Sequence, residues 1–253
     1  MINLHNHTTW SDGRFSPDEI VRAALAAGLS HVGISDHFRS AKLGASGHYV
    51  VIEEFDHYVA ELRALSAAYT GRIKVLVGIE IDFSERTPLA QLWRKGFQQT
   101  PLNTLDYVLF EYVADRDWQG YPLSALLSYR RWLQVPVGLA HNFLVRNLAP
   151  THSAAQLAQT LSEQRIFVEL NTAEEYTAAI SPDDEPVPYY RYPDPYNEAF
   201  FAACHESEVL FSVGSDTHRY LEHVALVKDA HDFLQAQNLA EHLVTKRLSD
   251  EIN

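Results

Sequence analysis

One cysteine, Cys204, is all the thiol this 253-residue chain has, so it cannot form an intramolecular disulfide, and a reducing, cytoplasmic setting is expected. The same scarcity excludes multi-thiolate zinc sites, so any metal must be held mainly by nitrogen and oxygen. No stretch approaches eighteen consecutive apolar residues, and no membrane span is expected. The first residues also lack the basic, apolar and small-residue succession of a signal peptide. Basic stripes are missing too: 20 Lys and Arg against 33 Asp and Glu give a formal charge of −13, which argues against a nonspecific grip on long nucleic acid. No Gly-x-Gly-x-x-Gly follows the first apolar segment, so a dinucleotide-binding fold lacks its fingerprint. Neither a composition shift nor an internal repeat marks a boundary, and residues 1–253 are expected to form one domain.

What the chain does have is histidine, 13 residues in all. Their positions say more than their number. At the start, Ile2 and Leu4 alternate with polar neighbours as in a short half-buried strand, and His5 and His7 then project to one side. Two imidazoles on one face, with Asp12 in reach, suit a metal clamp; the alternative is an N-terminal strand carrying two partly exposed histidines. Ser16, Pro17 and Glu19 form a capping box for a helix through Ile20, Val21, Ala24 and Leu25, with Gly28 as its stop. A second strand, His31–Ser35, runs into Asp36-His37. A helix through Phe55, Val59, Leu62 and Leu65 precedes a strand over 74–80 that ends in Glu80. Further strands are expected over 106–113, over 135–141 ending in His141, over 165–171, and over 209–214 leading to Asp216 and His218. A helix spans Leu157 to Leu161, and the last forty residues are expected to be helical.

Alternating strands and helices imply a parallel sheet with helices outside it. Seven such units point to a closed or nearly closed barrel rather than an open sheet. In barrels of this kind the active site lies at the carboxyl ends of the strands, where these histidines and acids fall.

Taken in order, His5-x-His7 with Asp12, Asp36-His37, Gly78-Ile79-Glu80, His141 and Gly214-Ser-Asp216-Thr-His218 resemble the polymerase and histidinol phosphatase (PHP) family over nearly the whole chain. Within it, residues 55–80 most resemble the histidinol-phosphatase branch. The resemblance implies a distorted TIM-like (β/α)7 barrel with two or three divalent ions, Mn, Fe or Zn, at the C-terminal ends of its strands. Carried over, His5, His7, Glu80 and Asp216 would hold one ion; Asp12, His37 and His218 would hold another and make up the catalytic group; Glu80 would bridge to a further ion with His141. Imidazoles suit such metals, and a carboxylate can bridge two of them. Ions about 3.5–4 Å apart can share an activated hydroxide that attacks phosphorus in line and can offset charge on the leaving oxygen. The expected activity is therefore that of a phosphatase acting on a small phosphomonoester such as histidinol phosphate.

One strand departs from the pattern. Family members usually place a histidine after the fourth strand, whereas Val113 stands near that position here. Glu111 is a possible substitute ligand; otherwise it is a paired or solvated acid and the site is binuclear.

Three arginines follow ligand positions, Arg39, Arg146 and Arg219, and could point their forks at a phosphate. Arg14 and Arg191 are weaker candidates. Glu169 and Asn171 could orient a ligand histidine, and His48 could enter the pocket. His31, His57, His152, His205, His223, His231 and His242 read as surface or packing residues. Residues 173–197 carry five prolines and five tyrosines and form either a solvated loop or a lid over the site. Competing functions are a phosphoesterase for nucleotides or short oligonucleotides, a non-catalytic metal-binding module, and a metal-dependent amidohydrolase. The sequence leaves oligomeric state open.

Overall fold

The computed structural model describes residues 1–38, 40–43, 47–87, 89 and 100–245. Its strands are β1 (Ile2–Asn3), β2 (His31–Ile34), β3 (His37–Phe38), β4 (Lys74–Val77), β5 (Glu80–Asp82), β6 (Val108–Glu111), β7 (Val137–Leu139), β8 (Ile166–Asn171), β9 (Thr177–Ala178), β10 (Val187–Pro188) and β11 (Phe211–Gly214). The α-helices are α1 (Pro17–Ala26), α2 (Phe55–Ala68), α3 (Leu123–Arg130), α4 (Leu144–Asn147), α5 (Ala154–Glu163), α6 (Pro195–Ser207) and α7 (Lys228–Ala236).

The fold is α/β, with two parallel sheets ordered β1-β2-β4 and β11-β8-β7-β6-β5-β3, and β9 and β10 forming a small antiparallel pair. Residues of the parallel strands such as Val32, Ile34, Val75, Val77, Leu109, Val137, Leu139, Val168, Leu170 and Val213 are buried. Continuous burial is what a parallel sheet covered by helices requires. The strands fall into two sheets, so strand pairing alone does not close the expected barrel. They are nevertheless stitched together. β2 runs into β3 and β4 into β5, and between them Gly78 N–H donates to Ile34 C=O at 2.8 Å and Glu80 N–H to Asp36 C=O at 3.0 Å. At the other seam, Leu4 N–H donates to Val213 C=O at 2.8 Å, His7 N–H to Thr217 C=O at 3.0 Å, and Asn6 forms a parallel bridge with Thr217.

Local sequence explains several helix ends. Ser16 and Glu19 form the reciprocal capping box that starts α1, and Ile20, Val21 and Ala24 are its buried face. Ser153 and Gln156 do the same for α5. The sequence reading missed α6, although its signals are local: Asp194 accepts from Tyr196 N–H and Pro195 occupies the first turn. It missed α3 as well. The last forty residues are less helical than expected: within the described part they hold α7 and two short 3-10 turns, Leu221–Ala225 and Ala240–His242. Asn238, at φ 56°, turns the chain left-handed just after α7 and ends it. Among the described residues no helix is long and apolar enough to cross a membrane.

Tyr107 fills the space between the seams. It is fully buried, and a Cβ built on Gly78 would lie 2.3 Å from its Cζ. Gly78→Ala is therefore expected to lower stability by about 2–3 kcal/mol through overpacking. A urea midpoint unchanged from wild type would show that Tyr107 moves aside at little cost.

Candidate metal centre

Every member of the histidine–carboxylate set follows, or lies in, the last part of a parallel strand path. Register brings neighbours together: His37 pairs with Glu80, and Asp82 with Glu111. His5, His7, His37, Glu80, Glu111, His141 and Asp216 are buried; the side chains of Asp12 and His218 are 27% and 17% exposed and form the solvent edge.

Three groups of donors gather within 4.8 Å of one another: His5, His7, Glu80 and Asp216; His7, Asp12, His37 and His218; and His37, Glu80 and Glu111. In the first, His7 Nε2 is 2.8 Å from Asp216 Oδ1 and 3.4 Å from Glu80 Oε2, while His5 Nε2 is 3.3 Å from both Glu80 Oε1 and Asp216 Oδ1. The two Nε2 atoms stand 3.0 Å apart, close to the roughly 3–3.5 Å expected of two imidazoles each about 2.1 Å from one ion. In the second, Asp12 Oδ1 is 3.2 Å from His218 Nε2 and 3.9 Å from both His7 Nδ1 and His37 Nε2. In the third, His37 Nδ1 lies 3.1 Å from Glu80 Oε2 and 3.6 Å from Glu111 Oε1. His141 Nε2 joins Glu80 Oε1 at 2.9 Å and stands 3.9 Å from Glu111 Oε2. Glu111, offered as a substitute at the irregular fourth strand, is thus inside the cluster, and His37 is nearer to it than His141.

Asp12 Oδ1, both His37 nitrogens, Glu80 Oε2, both Glu111 oxygens and Asp216 Oδ1 are buried without a well-formed hydrogen bond. So many unsatisfied buried polar atoms in one place demand a partner. The charges are mutually dependent. Burial works against the His7 imidazolium, yet Asp216 and Glu80 push it up to about 10. His5 is raised as well, because Glu169, Glu80 and Asp216 outweigh its burial. Burial and the neighbouring His7 drive His37 down to about 3. Glu80 and Asp216 resist their burial and are held low by the surrounding histidines. Glu111 goes the other way, raised by burial and by Glu80.

Supporting residues fix the orientation. Glu169 Oε1 lies 2.8 Å from His5 Nδ1, and Glu169 Oε2 accepts from His141 N–H at 2.8 Å. With Nδ1 donating to Glu169, His5 turns the lone pair of Nε2 toward the cluster. The Glu169 contact also steadies His141, whose backbone sits at φ 31°. Glu169→Gln is expected to weaken metal affinity by roughly 10- to 100-fold; competition with a chromophoric chelator measures it, and unchanged affinity would remove Glu169 from this role. Asn171 instead accepts from Ala173 N–H. Asp36 stays out of the cluster: it accepts from Thr8 N–H (2.7 Å), Thr8 Oγ1 (2.8 Å) and Ser11 Oγ (2.6 Å), clasping the turn after His7.

Among the described residues, two of the candidate arginines are paired with acids of their own. Arg39 lies outside the described residues. Arg146 is exposed and paired with Asp117, Arg219 and Arg14 are exposed, and Arg191 is bound in two-point fashion to Asp229 at 2.8 Å on each side. His48 is exposed, with Nδ1 3.2 Å from the Ser11 carbonyl. Sequence reasoning overlooked Lys42, in the short turn Ala41–Leu43. Lys42 is exposed to solvent; loss of hydration beside the cluster opposes its charge, but Glu111, Asp216, Glu80 and Asp12 raise its ammonium. It also did not single out Tyr176, whose ring lies parallel to His141 at 3.9 Å and 2°. Segment 173–197 is therefore more than a solvated loop: Tyr176 covers His141, Tyr189 stacks on Phe143, and Tyr190 donates to Asp229.

The model of a family described as the PHP domain matches residues 3–173. The chain is 35% identical over 80 residues to the DNA polymerase/3'-5' exonuclease PolX of Bacillus subtilis (strain 168), covering 32% of this chain and 13% of that one. It is 33% identical over 72 residues to a probable histidinol-phosphatase of Deinococcus radiodurans, covering 28% of each. These matches span less than a third of either relative. Among solved structures, a histidinol phosphate phosphatase from Lactococcus lactis subsp. lactis Il1403, complexed with zinc, L-histidinol and phosphate, shares the fold at TM-score 0.57 and 15% identity over 93% of each chain.

Proposed function

Because this chain belongs to the PHP domain family, we propose that it is a metal-dependent phosphatase that hydrolyses a small phosphomonoester of the histidinol phosphate kind. The observation that carries this reading is the buried set of nitrogen and oxygen donors, with atoms of Asp12, His37, Glu80, Glu111 and Asp216 left without hydrogen-bond partners. Its chemistry fits divalent Mn, Fe or Zn, with no thiol among the donors. His5, His7, Glu80 and Asp216 would hold one ion, Asp12, His37 and His218 a second, and Glu80, Glu111 and His141 a third, with His37 close to the same place. When bound, such ions supply Lewis acidity toward phosphoryl oxygens and activate water at neutral pH.

The chain's own residues do the rest. Asp12 and His218 lie at the solvent edge, so phosphate enters on their side. His218 Nδ1 donates to the Asp216 carbonyl at 2.8 Å, which turns the Nε2 lone pair, 3.2 Å from Asp12 Oδ1, toward the place of the second ion. Lys42 and Arg219 meet the anionic oxygens; Arg146 joins them only by leaving Asp117, and Arg39 remains a candidate by its place after His37. Segment 173–197 acts as a lid, with Tyr176 keeping water from the His141 side. We also read the two sheets as one distorted (β/α)7 barrel spanning a single domain, a reading supported by the backbone bonds at both seams.

Metal-loaded protein is expected to hydrolyse p-nitrophenyl phosphate and histidinol phosphate, with higher kcat/KM for the latter than for AMP. The match to a polymerase/exonuclease favours a second reading, a nucleotide or oligonucleotide phosphoesterase, which a preference for AMP or a dinucleotide would establish. Hydrolysis of none of these by protein of known metal content would overturn the proposal.

A further inference from the structure

On the seam where β1 meets the chain leaving β11 lies a set of polar side chains that belongs to none of the three donor groups. Asn3, Asn6, Ser215 and Thr217 are all buried there. We infer that they are positioning residues: they hold Asp216 and His218 in register with His5 and His7, and so set how tightly the ions at those ligands are bound. The inference rests on the metal-binding reading of those ligands and not on any substrate.

The hydrogen bonds leave one arrangement. Asn3 Oδ1 accepts from His5 N–H at 3.2 Å and from Ser215 N–H at 3.3 Å, while Nδ2 donates to the Val224 carbonyl at 3.0 Å. A backbone N–H only donates and a carbonyl only accepts, so these contacts fix which way the amide points. The same Nδ2 reaches Ser215 Oγ at 2.7 Å and Asn6 Oδ1 at 3.1 Å. Ser215 Oγ shares a hydrogen bond with Thr217 Oγ1 at 2.7 Å, and Asn6 Nδ2 donates to the Gly33 carbonyl of β2 at 3.0 Å. One network thus joins the strand paths that deliver His5 and His7, His37, and Asp216 and His218.

The backbone shows what this network has to hold. Ser215 and Thr217 alternate with Asp216 and His218, the hydroxyls bonding each other and the ligand side chains joining the donor groups. Asp216 sits at φ 48°, in the left-handed region, where a residue persists when its surroundings over-determine it. The main-chain bonds of the seam, Leu4 N–H to Val213 C=O and His7 N–H to Thr217 C=O, fall on either side of Ser215 and Asp216. Between them, side chains carry the register. Buried polar networks rigidify what they join, and groups that orient ligands are felt in metal affinity.

Competition for Zn²⁺ between chelator-treated protein and a chromophoric chelator tests the inference, with the visible absorption of bound Co²⁺ reporting ligand geometry and a urea midpoint reporting stability. Thr217→Val keeps the shape of its side chain and loses the hydroxyl; Ser215→Ala loses the other hydroxyl. Each is expected to weaken metal binding roughly tenfold or more and to alter the Co²⁺ spectrum. Thr217→Ser, which retains the hydroxyl, is expected to bind and absorb as wild type does. The double variant Ser215→Ala/Thr217→Val is expected to lose less than the product of the single losses, because the two share one bond. Leu161→Ala, a truncation of a buried side chain in α5, is expected to lower the urea midpoint while leaving affinity and spectrum unchanged. Wild-type affinity in Thr217→Val, an equal loss in Thr217→Ser, or the same loss in Leu161→Ala overturns the inference. A wild-type protein that binds no metal would instead remove the metal reading, and the inference with it.

Discussion

Replacing both His5 and His7 with alanine is expected to cut phosphomonoester turnover roughly a thousandfold or more, the scale on which losing transition-state charge stabilisation is felt. The two imidazoles make half of the group completed by Glu80 and Asp216, and each stands within 3.4 Å of both acids. Without them, two buried carboxylates that the histidines hold ionised face each other. The binding consequence is separable from the catalytic one. A ligand bound only by the folded state adds about 2.7 kcal/mol at a concentration a hundred times its Kd, so the wild-type Tm rises on adding Mn²⁺ or Zn²⁺ to chelator-treated protein. The double variant loses most of that rise while keeping its far-UV circular dichroism. Turnover above a tenth of wild type with the rise intact would remove His5 and His7 from the metal site, and the metal assignment with them.

Much of this arrangement was legible in the residues. His5 and His7 share a face because strand side chains repeat every two residues, and they do meet, Nε2 to Nε2, at 3.0 Å. Glu80, His141, Asp216 and His218 follow strand ends, and parallel pairing gathers strand ends on one side whatever the details of the helices between. Glu169 could be suspected from its place near the end of β8, and it spans His5 and His141 as an orienting acid would.

What could not be read was direction. Arg146 and Arg191 sit at plausible positions, but each meets an acid distant in sequence, Asp117 and Asp229. Nothing local encodes such partners. Asp36 and His37 are adjacent yet do opposite things, one clasping Thr8 and Ser11, the other entering the cluster. Tyr176 was one of five tyrosines in its segment, and only tertiary packing chooses which ring covers His141. The seam between β2 and β3 also escaped notice. A strand that continues past a two-residue interruption keeps its hydrophobic pattern, so periodicity alone reads one strand where two sheets meet.

Glu111 is proposed as a ligand of a third ion, and on that reading its variants are expected to behave in opposite ways with and without metal. In the metal-free protein its carboxyl is raised above the ordinary 4.5 by burial and by Glu80. A carboxyl with a raised folded-state pKa contributes stability that is complete below the unfolded value and is lost as pH climbs through the folded one. In chelator-treated wild type the Glu111 contribution is therefore expected to be lost as pH rises above about 4.5, whereas Glu111→Gln, which cannot ionise, escapes that loss, so the stability difference between the two proteins grows with pH. At pH 8 the metal-free glutamine variant is expected to be more stable by about 1–3 kcal/mol, the scale of an uncompensated buried charge. Metal reverses the order, because a cation between Glu80 and Glu111 relieves the repulsion that the amide has already removed. Loaded wild type then gains more in Tm than Glu111→Gln and binds one more equivalent of metal by elemental analysis. Glu111→His, which restores an imidazole to this strand, is expected to recover that equivalent for Zn²⁺ better than for Mn²⁺, since nitrogen suits the former and carboxylate the latter. Equal metal content in wild type and Glu111→Gln, with the same stability ranking in chelator and in metal, would make Glu111 a buried protonated acid and leave the site binuclear.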